Sequence, residues 1–193
     1  MPNRRILAAT AISLLLGLSA CQSTRDALQV GEASERNPGP CPRAFAIYDA
    51  ARIVDFKGRQ TFTNVGYTAE IAKVKSFCRY FADRPIVADL EIEFEAGRGP
   101  AAEGDTNVYN MFVAVTRKNI AVIEKLEFPV VVKFPEGADR VYVREKIDSI
   151  EIPRASEGTS GENFEIITGY VLTPEQRDFN AQGKRFRPSV GQN

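Results

Sequence analysis

From residue 43 onward the chain alternates apolar and polar side chains with a period of two. That is the spacing at which successive residues of a β-strand point to opposite faces. The clearest run spans 86–96. Ile86, Ala88, Leu90, Ile92, Phe94 and Ala96 share one face, and Asp89, Glu91, Glu93 and Glu95 share the other. Residues 120–134 repeat the pattern, with Ile120, Val122, Leu126, Phe128, Val130, Val132 and Phe134 on one face and Glu124 as the misfit. Pro129 lies inside this run and cannot donate to a sheet ladder, which predicts an edge or interrupted strand. Two further runs change phase partway. Tyr67, Ala69 and Ile71 face one way, and the apolar set then becomes Val74, Ser76, Cys78 and Tyr80. Val141 and Val143 are likewise followed by Ile150 and Ile152 out of step. One extra residue in a strand, a β-bulge, produces such a slip, and the first is placed near Ala72 and Lys73.

Shorter runs at 45–56, 109–116 and 164–172 bring the count to seven strands. Turn-forming stretches separate them, the longest at 97–107 and 156–163. Many short strands with this punctuation predict an all-β fold: an antiparallel β-sandwich of about seven strands, a pattern immunoglobulin-like domains share. One short C-terminal helix is signalled over 174–182. Thr173 is its N-cap, Pro174 its first residue and Gln176 the return partner of a capping box, with Gly183 to close it and Phe179 to pack inward. Residues 22–40 hold no apolar period and end in Asn37-Pro38-Gly39-Pro40. They read as a flexible tether with a root-mean-square reach of roughly 25 Å.

The first 21 residues follow different rules. Arg4 and Arg5 precede an apolar stretch from Ile6 to Leu18, which is broken by Thr10, Ser13 and Gly17. It falls short of the ~20 apolar residues that span a bilayer, which favours an export signal. The stretch ends in Leu18-Ser19-Ala20-Cys21, which resembles the lipobox of bacterial lipoproteins. That resemblance implies lipidation of the Cys21 thiol and cleavage just before it, with acyl chains as the membrane anchor. Gln22 rather than Asp follows the cysteine. By likeness to Gram-negative lipoproteins, this implies sorting to the outer membrane with the body on the periplasmic face. The expected organisation is a signal peptide at 1–20, a lipidated tether at 21–40, the sandwich at 41–183 and a basic tail at 184–193. The body resembles β-rich envelope lipoproteins without placing the chain in a family of known activity.

Composition narrows the chemistry. The 193 residues carry 25 basic and 25 acidic side chains, with no His and no Trp. The absence of a positive surplus argues against nucleic acid as a partner. Zero His removes His-ligated metals and the Ser-His and Cys-His catalytic arrangements. No phosphate-binding loop, calcium loop or dinucleotide glycine pattern occurs, so no cofactor is expected. With Cys21 assigned to lipid, Cys41 and Cys78 remain as an even pair in an exported chain and predict a disulfide. Closing a loop of about 37 residues would contribute roughly 3–4 kcal/mol on the chain-entropy view.

Three features could carry binding. Glu91, Glu93 and Glu95 form an acidic row, whose carboxylates about 6–7 Å apart suit either a shared cation or a solvated face. The solvated face is the expectation, and no metal ligand is assigned. The loop 97–107 is long for a hairpin, and Arg98 could grip an anion there. Lys184, Arg185 and Arg187 surround Phe186 in a tail that could meet lipid headgroups or wall polymers. No residue is assigned a catalytic role. The expectation is a non-catalytic envelope lipoprotein, an accessory subunit or binding module. It would meet the membrane through its lipid and an unidentified envelope protein or polymer through its body. The alternative is a carboxylate-based enzyme acting on envelope carbohydrate or peptide.

Overall fold

A computed structural model describes residues 39–118 and 120–185. The lipobox and most of the tether therefore lie outside the described residues. Eight strands follow in order: β1 (Arg43–Ala46), β2 (Arg52–Phe56), β3 (Val65–Arg79), β4 (Ile86–Arg98), β5 (Thr106–Arg117), β6 (Ala121–Lys133), β7 (Arg140–Ile152) and β8 (Phe164–Tyr170). One α-helix among the described residues, α1 (Pro174–Ala181), follows them. They form two four-stranded sheets, ordered β1-β8-β5-β6 and β2-β3-β4-β7. This is the all-β sandwich that the period-two pattern requires.

The run at 45–56 is corrected: it is two strands, not one. A 3-10 turn at Tyr48–Ala50 separates β1 from β2 and carries the chain from one sheet to the other. β1 then pairs with β8 in parallel, the one exception to antiparallel pairing.

Both expected bulges are present. The β3–β4 register slips between Ile71 and Lys73, leaving Ala72 as the extra residue. The β4–β7 register slips between the pairs Leu90–Ile147 and Ala88–Ile150. Asp148 and Ser149 occupy that second slip, and Ser149 has φ +60°, a left-handed conformation rarely adopted by a residue with a Cβ. The alternation of 86–96 is fully realised in β4, where Ile86, Ala88, Leu90, Ile92, Phe94 and Ala96 are all buried. Phe94 meets Tyr109 and Tyr170 edge-on, with centroids 6.2 and 6.1 Å apart.

The run at 120–134 behaves differently along its length. Val130, Val132 and Phe134 are buried, while Leu126 on the same face is 55% exposed. The expected shared face is corrected beyond that point. The β5–β6 register slips at Ile123, with Glu124 opposite Val115 and Val122 opposite Thr116, so Val122, 61% exposed, turns to the other face, and Ile120 precedes the strand. β6 is an edge strand, as Pro129 indicated, and nothing among the described residues covers its first half. Alternation reports which side chains share a face, not whether a second sheet reaches that face.

At the opposite side of the sandwich, α1 begins with the capping box read from sequence. Gln176 N–H donates to Thr173 Oγ1 at 3.3 Å, and Thr173 N–H to Gln176 Oε1 at 2.9 Å. Phe179 packs with Val54, Val65 and Phe56. Gly183 follows with φ +70°.

Candidate functional site

Cys41 and Cys78 are joined as a disulfide, with Cα atoms 5.6 Å apart. The bridge ties the start of the body to β3 near its end. The last residues of the expected tether are also held. The Tyr80 hydroxyl donates to Pro40 O at 3.0 Å and accepts from Gly161 N–H at 3.1 Å. A Cβ on Gly161 would lie 2.4 Å from Pro40 O, so glycine is what permits this close crossing.

The acidic row lies on the outer face of the β2-β3-β4-β7 sheet, and its carboxylates already face cations. Lys75 Nζ sits 2.7 Å from Glu91 and 2.6 Å from Glu93. Arg140 Nε is 2.8 Å from Glu95, and Arg144 reaches Glu91 and Glu93 at 3.5 and 3.3 Å. β3 and β7 supply these cations, Lys75 directly opposite Glu91, Arg144 directly opposite Glu93 and Arg140 diagonal to Glu95, where opposite charges stabilise a sheet face. The Lys75 hydrogen bond holds the Glu93 carboxyl below its usual range, and the bonds to Glu91 and Glu93 raise the Lys75 ammonium. These partners come from separate strands, so the sequence reading of a solvated row missed them. Among the described residues, no three His, Cys, Asp or Glu side chains gather closely enough to hold a metal ion.

Arg98 is the last residue of β4, with its guanidinium 6.0 Å from the Phe134 ring centre. Its half-buried position is that of a strand end packed on an aromatic. The following loop is strapped to β3. Gly99 N–H donates to Gly66 O at 2.7 Å, Ala101 N–H to Val65 O at 2.9 Å, and the Tyr67 hydroxyl to Glu103 O at 2.5 Å. Of the basic tail, Lys184 stands over the Phe179 ring at 5.9 Å, and Arg185 lies 3.8 Å from Glu70. Hydrogen bonds from Arg52 and then Arg185 hold the Tyr48 hydroxyl below its ordinary value. Phe186 and Arg187 lie outside the described residues.

Two clefts open at the end of the sandwich where β3 turns into β4 and β7 bulges. The larger, about 610 Å³, is lined by Phe77, Phe81, Arg84, Val87, Asp89 and Asp148 among others. Phe77 is 61% exposed. The sequence carried a signal for it: with Ser76 and Cys78 inward after the bulge, Phe77 must face outward. Arg84 stacks on Phe81 at 4.3 Å. Arg154 fastens the rim by donating to Ala82 O, Arg84 O, Thr159 O and Glu157 O while stacking on Tyr80 at 4.8 Å. Asp89 accepts from the Ser149 N–H at 3.0 Å, and Asp148 and Glu151 are exposed. The smaller cleft, about 290 Å³, lies beneath the uncovered half of β6 and shares Asp148, Ser149 and Glu151 with the first. Its floor of Val113, Val115, Ile147 and Ile150 is apolar. This surface can bind apolar or aromatic groups flanked by charges of both signs.

The chain matches no known family model, no curated protein and no solved structure at a significant level. Among the described residues, no helix is long and apolar enough to cross a membrane.

Proposed function

We propose that the chain is a lipid-anchored protein of the Gram-negative cell envelope that acts by binding. Cys21 carries the anchor at the outer membrane, the body faces the periplasm, and its partner is an envelope protein or polymer. The observation that carries this reading is Leu18-Ser19-Ala20-Cys21 directly after a charged start and an apolar stretch. The Cys41–Cys78 disulfide supports it, because such bridges persist in oxidising compartments such as the periplasm. Binding rather than catalysis is supported by the zero His count and by a carboxylate row held in ion pairs.

The second reading, a carboxylate enzyme acting on envelope carbohydrate or peptide, rests on Asp89, Asp148 and Glu151 at one cleft. It is the weaker of the two, since Asp89 is engaged by the Ser149 amide and the other two are exposed to solvent.

The test is Cys21→Ala expressed in a Gram-negative cell. The wild-type chain is expected in the outer-membrane fraction and labelled by supplied palmitate. The variant is expected as an unlabelled precursor in the inner membrane. Normal processing and outer-membrane fractionation of the variant would overturn the anchor.

A further inference from the structure

The two sheets have four edges, and these differ in what they offer a further strand. β1 is only four residues long. At β2, Ile71 N–H donates to Ala51 O at 2.8 Å, so Ala51 and Ile53 turn their peptide groups toward β3 and Arg52 and Val54 turn theirs away. Those outward carbonyls are taken by α1: Asn180 Nδ2 donates to Arg52 O at 2.8 Å and Gln176 Nε2 to Val54 O at 3.4 Å. The β2 edge is sealed.

At β6, Phe134 N–H donates to Asp105 O at 2.7 Å, and Asn110, opposite Pro129, spends its carbonyl on Val171 at 2.8 Å. Alternation from these bonds places Pro129 among the residues whose backbone points to the open edge. Its missing N–H therefore interrupts that edge at mid-strand.

Among the described residues β7 meets neither a capping helix nor a proline. Arg98 N–H donates to Asp139 O at 2.8 Å, so Val141, Val143, Glu145 and Ile147 bond toward β4, and Arg140, Tyr142, Arg144 and Lys146 present their backbone groups outward. Residues 140–147 contain neither Pro nor Gly, and the stretch stops at the Asp148–Ser149 bulge. Over it lies the uncovered half of β6, where Leu126 and Glu124 line the 290 Å³ cleft above Val113, Val115 and Ile147.

We propose that β7, over residues 140–147, is a docking edge that takes an extended segment of a partner protein as an added strand, apolar on its inward face and acidic on its outward face. The inference rests on reading the body as a binding module and deepens it. Strand addition supplies affinity through main-chain bonds, while alternate side chains set specificity. Inward side chains would fill the space beneath Leu126, against Val113, Val115 and Ile147. Outward ones would meet Arg140, Arg144 and Lys146, the last of which makes no ion pair among the described residues. β4 shows the complementary pattern on the other side of β7, with Leu90, Ile92 and Phe94 inward and Glu91, Glu93 and Glu95 set against the same cations. A second copy is the poorer occupant. Antiparallel β7–β7 pairing centred on residue 142, 143 or 144 sets Arg140 against Arg144, Arg140 against Lys146, or Arg144 against itself, and like charges directly opposite are destabilising.

The experiment uses the full-length chain in detergent and a fluorescent synthetic peptide of residues 86–96. A second peptide replaces its four acidic residues with Lys. Saturable anisotropy is expected with the acidic peptide, and binding at least about tenfold weaker with the lysine peptide. Tyr142→Pro removes one outward N–H, as Pro129 does in β6, and is expected to weaken binding by at least about tenfold while the protein still unfolds cooperatively. If that variant fails to fold, Lys146→Glu decides, with weaker acidic-peptide binding expected. No saturable binding, equal binding of both peptides, or unchanged binding by Lys146→Glu would overturn the docking edge. So would a dimer in sedimentation that Lys146→Glu stabilises, since the occupant would then be a second copy. Each of these outcomes leaves the Cys21 fractionation result untouched, so failure of the edge and failure of the anchor are told apart.

Discussion

Tyr109 and Tyr170 lie side by side in the core with ring centroids 6.0 Å apart, and one hydrogen bond distinguishes them. The Tyr109 hydroxyl donates to Thr68 O at 2.9 Å, whereas the Tyr170 hydroxyl is buried with no partner among the described residues. Removing a bonded buried hydroxyl costs about 1 kcal/mol, and removing an unbonded one costs nothing or stabilises. Denaturant unfolding is therefore expected to show Tyr109→Phe less stable by about 1 kcal/mol. Tyr170→Phe is expected to be unchanged or slightly more stable. Burial pushes both hydroxyls up from their ordinary pKa. The unfolded chain would ionise them near about pH 10. Above that pH the unfolded state releases protons that the folded state retains, so stability is expected to hold below about pH 10 and to fall as pH rises past it. A Tyr170→Phe variant should show a shallower fall, and a fall of the same slope in all three proteins would contradict the assignment. None of this was legible in the sequence. The strand pattern placed both tyrosines in strands, but the Thr68 carbonyl that separates their fates lies 41 residues from Tyr109.

At the scale of elements, local chemistry was readable and coverage was not. The bulge at Ala72, the slip in β7, the Thr173 capping box and the edge position of Pro129 each follow from a few adjacent residues, and each is present. The break at Tyr48–Ala50 was missed because its apolar content disguises a turn that switches sheets. The exposed half of β6 was missed because alternation, broken here only by Glu124, reports shared faces and not coverage, and the register slip at Ile123 was missed with it. Arg140 and Arg144, which hold the acidic row, lie about 50 residues further along the chain, beyond any local pattern. Pro129 offers a direct check of the edge argument. Pro129→Val restores an outward N–H on a strand already carrying exposed Val122, Leu126 and Val131. Sedimentation velocity is expected to show concentration-dependent self-association of the variant and a monomeric body for the wild type under the same conditions. Two equally monomeric proteins would contradict a blocking role for Pro129.

Across the described body, a disulfide at its point of entry and a helix that closes one sheet edge are combined with one long edge, β7, that neither a helix nor a proline blocks among the described residues. This arrangement is the geometry on which the proposed binding role draws. The fold class was legible because burial of one strand face imposes a period of two over many residues. The proposed docking edge was not, since the exposure of β7 becomes visible only once each strand's neighbours and hydrogen-bonding parity are known. The address is the central claim, and it rests on the residues around Cys21. Intact-mass analysis of the protein purified from Gram-negative outer membranes tests it most directly. A chain beginning at Cys21, heavier than its residues by a diacylglyceryl group and a further acyl chain and lighter by two hydrogens for the Cys41–Cys78 bridge, is the expected result. A mature chain that begins elsewhere, or that begins at Cys21 with a free thiol and no acyl mass, would contradict it.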